Sequence, residues 1–248
     1  MQLSRQLLEQ EKDSKGIRSA GILLDTLPQG FYTKRGKRVL DCIFSATGLL
    51  VLLPLFAMVA LSIKLTSRGP VFYRQMRVGK DGHPFHIVKF RSMNGVASKM
   101  SPGITVSGDK RITRLGMILR RYKIDELPQI WNVLRGDMSL VGPRPELPKY
   151  VEVYSPEQKL VLCVRPGITD LASLAYRHEE EILSRHEDPE QVYRMEILPD
   201  KLVQNLGYIR NISFRTDLRI IFATIGRSFF LSRTLGSRRN HETTANPP

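Results

Sequence analysis

The chain has 248 residues, 42% of them hydrophobic, enough for one or two domains with a real core. Its formal net charge of +14 implies an anionic partner: nucleic acid, an anionic membrane surface or a phosphorylated substrate. Two distant cysteines, Cys42 and Cys163, suggest neither a disulfide nor a metal motif, and the charged residues 1–20 lack the apolar stretch of a signal peptide.

In chain order, residues 1–33 read as a variable lead-in, closed by the turn signal Pro28-Gln29-Gly30. A basic cluster follows: Lys34, Arg35, Lys37 and Arg38. From Cys42 to Ile63 there is then no charged residue. Such a run reaches roughly 33 Å as a helix, about the thickness of a bilayer core. A buried helix of a soluble protein is the poorer explanation at this length. A through-span and a re-entrant segment both stay open, and two features favour re-entry. Basic residues flank both ends, with Lys64 and Arg68 on the far side, and the positive-inside tendency draws both to the cytoplasm. Pro54 near the middle removes a helix hydrogen bond and bends the axis. Ser45, Thr47 and Ser62 are candidates to satisfy the backbone groups so freed.

Beyond the break at Gly69-Pro70, Val71–Arg74 and Phe85–Phe90 read as strands joined through Gly79–Gly82, a hairpin with basic residues on one face. Residues 94–110 read as a mobile loop and Ile112–Arg121 as a short basic helix. Next come the adjacent acids Asp125 and Glu126. Pro128 is tolerable only in a first helical turn, so a helix is expected to begin near Asp125, with Leu127, Ile130, Trp131 and Leu134 as its apolar face. By capping chemistry alone, Asp125 is an N-cap and Glu126 a first-turn charge. A helix start among Arg and Lys residues is also a place that gathers anions.

In Leu140–Glu146 two prolines, Pro143 and Pro145, clamp Arg144. This suits bidentate recognition of phosphate or carboxylate, and it equally describes a surface arginine between turn prolines. Residues 156–162 read as a helix start, and Arg165–Asp170 as a second turn. His178, Glu179, Glu180, Glu181 and His186 follow no metal-binding pattern and read as a solvated helix face. Leu218–Phe230 suits an amphipathic helix on a protein or membrane surface, and residues 232–248 read as a disordered tail.

Taken together, several motifs stand in register. They are Lys37-Arg38-x-x-Asp41; Gly69-Pro70-Val71-Phe72-Tyr73-Arg74-Gln75-x-Arg77-x-Gly79; Lys89-Phe90-Arg91-Ser92-Met93; and Asp109-x-Arg111-x-Thr113-Arg114-x-Gly116-x-x-x-Arg120. The series ends in Asp125-Glu126-Leu127-Pro128-Gln129-x-x-Asn132-Val133-Leu134-x-Gly136-Asp137-Met138-Ser139-Leu140-Val141-Gly142-Pro143-Arg144-Pro145. Over about residues 34–170 the chain resembles the bacterial sugar transferase family, the small monotopic phosphoglycosyl transferases.

The resemblance implies an α-rich α+β fold. Its features would be a re-entrant membrane helix (34–68), interfacial amphipathic helices and a small hairpin by the active site, within a catalytic region of residues 69–231. It implies transfer of a sugar-1-phosphate from a UDP-sugar to undecaprenyl phosphate with release of UMP. It also implies Mg²⁺ and a location on the cytoplasmic face of a bacterial inner membrane. The implied partners are membrane lipids and downstream glycosyltransferases, and no nucleic acid. By resemblance, Asp125 is the nucleophile and lies by the metal, and Glu126 is the second acid. Lys89, Arg120 and Arg144 would hold substrate phosphates, with Arg91, Arg111, Arg114, Pro143 and Pro145 in support. The family's Gly and Gln after Pro166-Gly167-Ile168-Thr169 are here Asp170 and Ser173, which leaves the sugar open. The extra multi-span N-terminal region of larger members is not expected.

Two rivals remain to be weighed. The uncharged run and the lack of any helix-turn-helix or zinc pattern count against a nucleic-acid binder. A lipid-binding scaffold would have no need of paired acids beside Arg120 and Arg144.

Overall fold

A computed structural model describes residues 30–94 and 108–226. The lead-in up to residue 29, most of the expected loop (95–107) and the tail lie outside the described residues. Within them the fold is a helix-rich α+β arrangement with two small sheets.

A wide helical turn, Tyr32–Gly36, runs straight into α1, Lys37–Thr66. Only 11% of its most apolar window is buried, which is unlike the core helix of a soluble protein. Asp41, Ser45, Val59 and Ile63 turn inward, while Phe44, Leu50, Val51, Leu53, Met58 and Leu61 stay exposed. The chain remains helical through Pro54. Proline has no N–H to give to the carbonyl four residues back, that of Leu50. Contrary to expectation, Ser45 and Ser62 do not turn to that carbonyl. Their hydroxyls donate to Cys42 and Met58 respectively.

Both ends of α1 are bonded to the same polar body. At the first end, Arg38 donates to the carbonyls of Val133 (2.6 Å) and Leu134 (2.9 Å), and Asp41 accepts from the backbone N–H of Leu140 (3.0 Å). Lys37 there pairs with Asp217. At the other end, Val59 and Ile63 pack with Phe90 and Leu119, and Arg91 donates to the carbonyls of Ser67 (2.9 Å) and Arg68 (2.7 Å).

Strands β1 (Phe72–Val78) and β2 (Pro84–Phe90) pair antiparallel from Phe72 opposite Phe90 to Val78 opposite Pro84. β1 is longer than its apolar start suggested. The connecting turn, Lys80–Gly82, needs positive φ at Asp81 and Gly82, and glycine supplies it without strain. Helix α2 is Arg114–Arg121, begun by Thr113, whose Oγ1 accepts from Gly116 N at 2.8 Å; of the expected first two residues, Thr113 is the cap and Ile112 lies before it.

The expected single helix from Asp125 is two pieces. A 3₁₀ turn covers Ile124–Glu126, and α3 is Gln129–Arg135 with Pro128 at its cap and Gly136 in the left-handed conformation at its end. Its buried face is also not the apolar one. Gln129, Asn132 and Val133 are buried while Trp131 is 49% exposed, and Ile130 lies beside Gly48 of α1. The apolar side faces α1 and the outside, and the polar side faces the hairpin.

β3 (Ser139–Val141) pairs in parallel with β4 (Gly167–Thr169). Between them lie α4 (Pro148–Val151) and a 3₁₀ turn, Gln158–Cys163, where a helix was expected. Five helices follow: α5 (Leu171–Ala175), α6 (Glu179–Leu183), α7 (Pro189–Val192), α8 (Leu198–Arg210) and α9 (214–226). The largest core joins Val141, Tyr150, Leu183, Tyr193, Tyr208 and Ile209, and so ties the C-terminal helices to β3.

Candidate active site

Asp125 and Glu126 sit on a turn that a left-handed residue, Lys123 (φ 57°), sets off from α2. Such a backbone is uncommon outside glycine, and strain of this kind gathers at functional sites. The two neighbouring acids meet opposite environments.

Glu126 is saturated by cations. Its Oε1 accepts from Lys89 Nζ of β2 at 2.7 Å and from Arg144 Nη2 at 2.5 Å, and its Oε2 accepts from Arg144 Nη1 at 3.3 Å. Burial alone would raise its pKa; Arg144 and Lys89 more than offset this and hold the carboxyl well below the usual range. Asp125 is 6% exposed, and its Oδ1 has no hydrogen-bond partner. Burial, then the charge of Glu126, pushes its pKa up. Burial likewise lowers the ammonium of Lys89, with Glu126 opposing. One acid is therefore a fixed counter-ion and the other a desolvated, more basic carboxylate.

The loop that holds Arg144 is built from both sides. Pro143 accepts from Gly167 N at 2.9 Å, and Pro145 accepts from Arg77 Nη1 at 3.1 Å. The backbones here lie so close that a Cβ on Gly167 would collide with Gly142, and one on Gly142 with the carbonyl of Arg165. Arg77, its side chain 13% exposed, also bonds Gln75 and stands 3.6 Å from Glu146, which in turn accepts from the Tyr193 hydroxyl.

The structure thus brings Asp125, Glu126, Lys89 and Arg144 together, with Pro143 and Pro145 framing the last. Arg120 is within electrostatic reach of Asp125, but its guanidinium is paired with Glu180 of α6. Arg91 clasps the end of α1, Arg111 pairs with Asp109, and Arg114 is exposed on α2. The segment read as a solvated face is engaged: Glu179 binds the buried Lys201 and Glu180 binds Arg120. Asp170 and Ser173 form a capping pair, in which Asp170 accepts from Ser173 N (2.6 Å) and Oγ (2.8 Å). The Asp170 carboxylate is buried.

Sequence reasoning named no role for Arg77, Lys123, Gln129 or Asn132. Each lies inside or beside a quoted motif, yet which of those residues touch cannot be read from the spacing. Asn132 joins α3 to the hairpin, accepting from Val88 N (3.0 Å) and donating to the His86 carbonyl (2.8 Å).

No group of three or more His, Cys, Asp or Glu side chains that could hold a metal gathers among the described residues. The unpartnered Oδ1 of Asp125 nevertheless fits a hard cation of the Mg²⁺ type, which is commonly held by one or two carboxylates with substrate phosphates completing its shell.

A family model described as bacterial sugar transferase matches residues 32–230. Among curated proteins, the chain is 40% identical over 192 residues to a UDP-glucose:undecaprenyl-phosphate glucose-1-phosphate transferase of Caulobacter vibrioides, covering 76% of this chain and 68% of the relative. It is 41% identical over 197 residues to the exopolysaccharide production protein PSS of Rhizobium leguminosarum bv. phaseoli (76% and 92%). It is 36% identical over 192 residues to a UDP-N-acetylgalactosamine-undecaprenyl-phosphate N-acetylgalactosaminephosphotransferase of Aeromonas hydrophila (76% and 42%). Of the longer relatives, such as those of Aeromonas hydrophila and Klebsiella pneumoniae, the chain spans about two fifths.

Proposed function

Because the chain belongs to the bacterial sugar transferase family, we propose that it moves a sugar-1-phosphate from a UDP-sugar to undecaprenyl phosphate and releases UMP, as a membrane step in exopolysaccharide synthesis. Relatives whose names state this reaction support it, and so does the relative named for exopolysaccharide production. The observation that carries the reading is the contrast between the two acids: a buried carboxylate with a bare oxygen beside one locked between two cations.

In this reading Asp125 attacks the β-phosphorus of the donor. The bond from that phosphorus to the oxygen bridging to the α-phosphate breaks, and UMP leaves with the electron pair. The sugar phosphate is then held on the Asp125 carboxylate. An oxygen of the acceptor phosphate attacks the same phosphorus and frees Asp125. A desolvated carboxylate of raised basicity is a better nucleophile than one held by donors. Lys89 and Arg144 lie where charge builds on the equatorial oxygens. Glu126 keeps both aimed before substrate arrives, and the entering diphosphate competes with it for them. Mg²⁺ at Asp125 would neutralise diphosphate charge.

A lipid acceptor requires the acids to lie near the bilayer surface. The bonds from both ends of α1 to one polar body support a re-entrant segment on the cytoplasmic face of the inner membrane, because a straight crossing would part those ends by a bilayer. The lipid-linked sugar would then be the substrate of later glycosyltransferases.

The test is purified protein with undecaprenyl phosphate, Mg²⁺ and a panel of UDP-sugars, UDP-glucose and UDP-N-acetylgalactosamine included, scored for UMP. Release that depends on the lipid and on one donor is expected. No release with any donor would overturn the reading.

A further inference from the structure

Gln129 is the first residue of α3, four after Asp125 and three before Asn132. All three are buried. Asn132 is saturated: its Oδ1 accepts from Val88 N, and its Nδ2 donates to the carbonyl of His86 and, at 3.2 Å, to Asp137. Gln129 is 2% exposed, and its side-chain Nε2 is buried without a hydrogen-bond partner. Leaving such a donor unsatisfied is costly, and native proteins rarely keep one without a use. The next buried polar side chain toward the turn, Asp125, carries the complementary defect, an acceptor oxygen without a donor. A lone donor and a lone acceptor thus stand four residues apart, Asp125 on the 3₁₀ turn and Gln129 at the start of α3. The charged donors at the site, Lys89 and Arg144, are already held by Glu126.

We propose that Gln129 is a further catalytic residue, whose Nε2 donates a hydrogen bond to a non-bridging oxygen of the phosphoryl group that Asp125 attacks. This inference rests on the function proposed above. Gln129 neither takes nor gives a proton; it offers a neutral donor, which Glu126 does not compete for, where negative charge grows. Such a bond strengthens as the phosphorus changes partners, so its loss falls on kcat and not on donor binding.

The experiment compares wild type, Gln129→Met and Gln129→Glu in detergent, with undecaprenyl phosphate and the donor that wild type uses. It reads kcat, donor KM, single-turnover UMP release and melting temperature. Met has similar length and no donor; Glu keeps the shape and replaces the donor by an acceptor. In both, kcat and single-turnover release are expected to fall about 10²–10³-fold, the range for losing one oxyanion donor, with donor KM little changed. Gln129→Met should melt at or above wild type, since an orphaned polar group is gone. A Gln129→Met enzyme within about two-fold of wild-type kcat overturns the inference and leaves a buried water as the partner of Gln129. Loss of activity only in step with loss of melting temperature overturns it equally. Wild type that releases no UMP from any donor takes down the function itself, whereas an active wild type with an equally active Met variant takes down this inference alone.

Discussion

Glu126→Gln removes the one negative charge on which Lys89 and Arg144 both close, and leaves their shape almost untouched. The three side chains are 12%, 17% and 31% exposed respectively, so the pair with Lys89 is nearly dry and Arg144 alone can turn to water. Breaking a buried ion pair from one side typically costs about 3–5 kcal/mol, and the partial freedom of Arg144 puts this case at the low end, about 3 kcal/mol. At about 2–4 °C per kcal/mol for a chain of this size, the melting temperature should fall by about 6–12 °C. Transfer should be lost as well, because Lys89 loses the charge that opposes its burial and becomes easier to deprotonate. The pH dependence has a definite sign. The folded-state pKa of Glu126 is depressed, so its stabilisation is complete above the ordinary glutamate value and fades as pH falls through the lower folded one. The gap between wild type and variant should therefore close in strong acid. Adding Lys89→Met to Glu126→Gln should restore part of the loss, with a coupling of about 1 kcal/mol or more by thermal or urea unfolding in detergent. A Glu126→Gln protein that melts with wild type, or a double variant additive within about 0.5 kcal/mol, would refute the claim that the acid holds these cations.

Asp125→Asn should abolish UMP release, leave membrane association intact and raise stability by about 1 kcal/mol at neutral pH, since a neutral isostere replaces an unpartnered buried charge; residual transfer above background would remove Asp125 as nucleophile. Because the folded pKa of Asp125 is raised, the ionised nucleophile is lost as pH falls through a value above the ordinary 3.8. The acid limb of kcat should lie above the usual aspartate range, and activity that stays level down to that range would contradict this. Single cysteines at Arg35 and Arg68 should both react with a membrane-impermeant maleimide only once the cytoplasmic side is opened, and labelling of either in intact spheroplasts would rule out re-entry.

Much of the outline was legible because its signals are local. The uncharged run, the alternating strands around Gly79–Gly82 and the proline clamp on Arg144 each need only a few neighbouring residues to be recognised. What stayed hidden depends on distant pairings. Ser139–Val141 and Gly167–Thr169 are too short to show a period, so strands β3 and β4 read as loops. The partners of Glu179 and Glu180 lie on α8 and α2, and without them acids on a short helix look like a solvated face. Trp131 misled for a related reason. Apolar spacing marks a face without saying what covers it, and here that face turns away from the core. The departures Asp170 and Ser173 also make sense only together, as the two halves of one cap.

The reading of Asp125 as a helix cap fails for a reason already written in the chain. An N-cap carboxylate needs backbone N–H groups two or three residues ahead. Three residues ahead of Asp125 stands Pro128, which has none. The N–H of Leu127, two ahead, is given to the carbonyl of Ile124, and that of Glu126 points back to Lys123. The same proline that marks where a helix can begin thus withholds the donor that would have quieted the acid before it. Burial does the rest, and Glu126, drawn off by Lys89 and Arg144, adds repulsion without adding a partner. An aspartate serving only structure would be driven to pair or to face water. This one does neither, which is what the nucleophile of the proposed reaction requires.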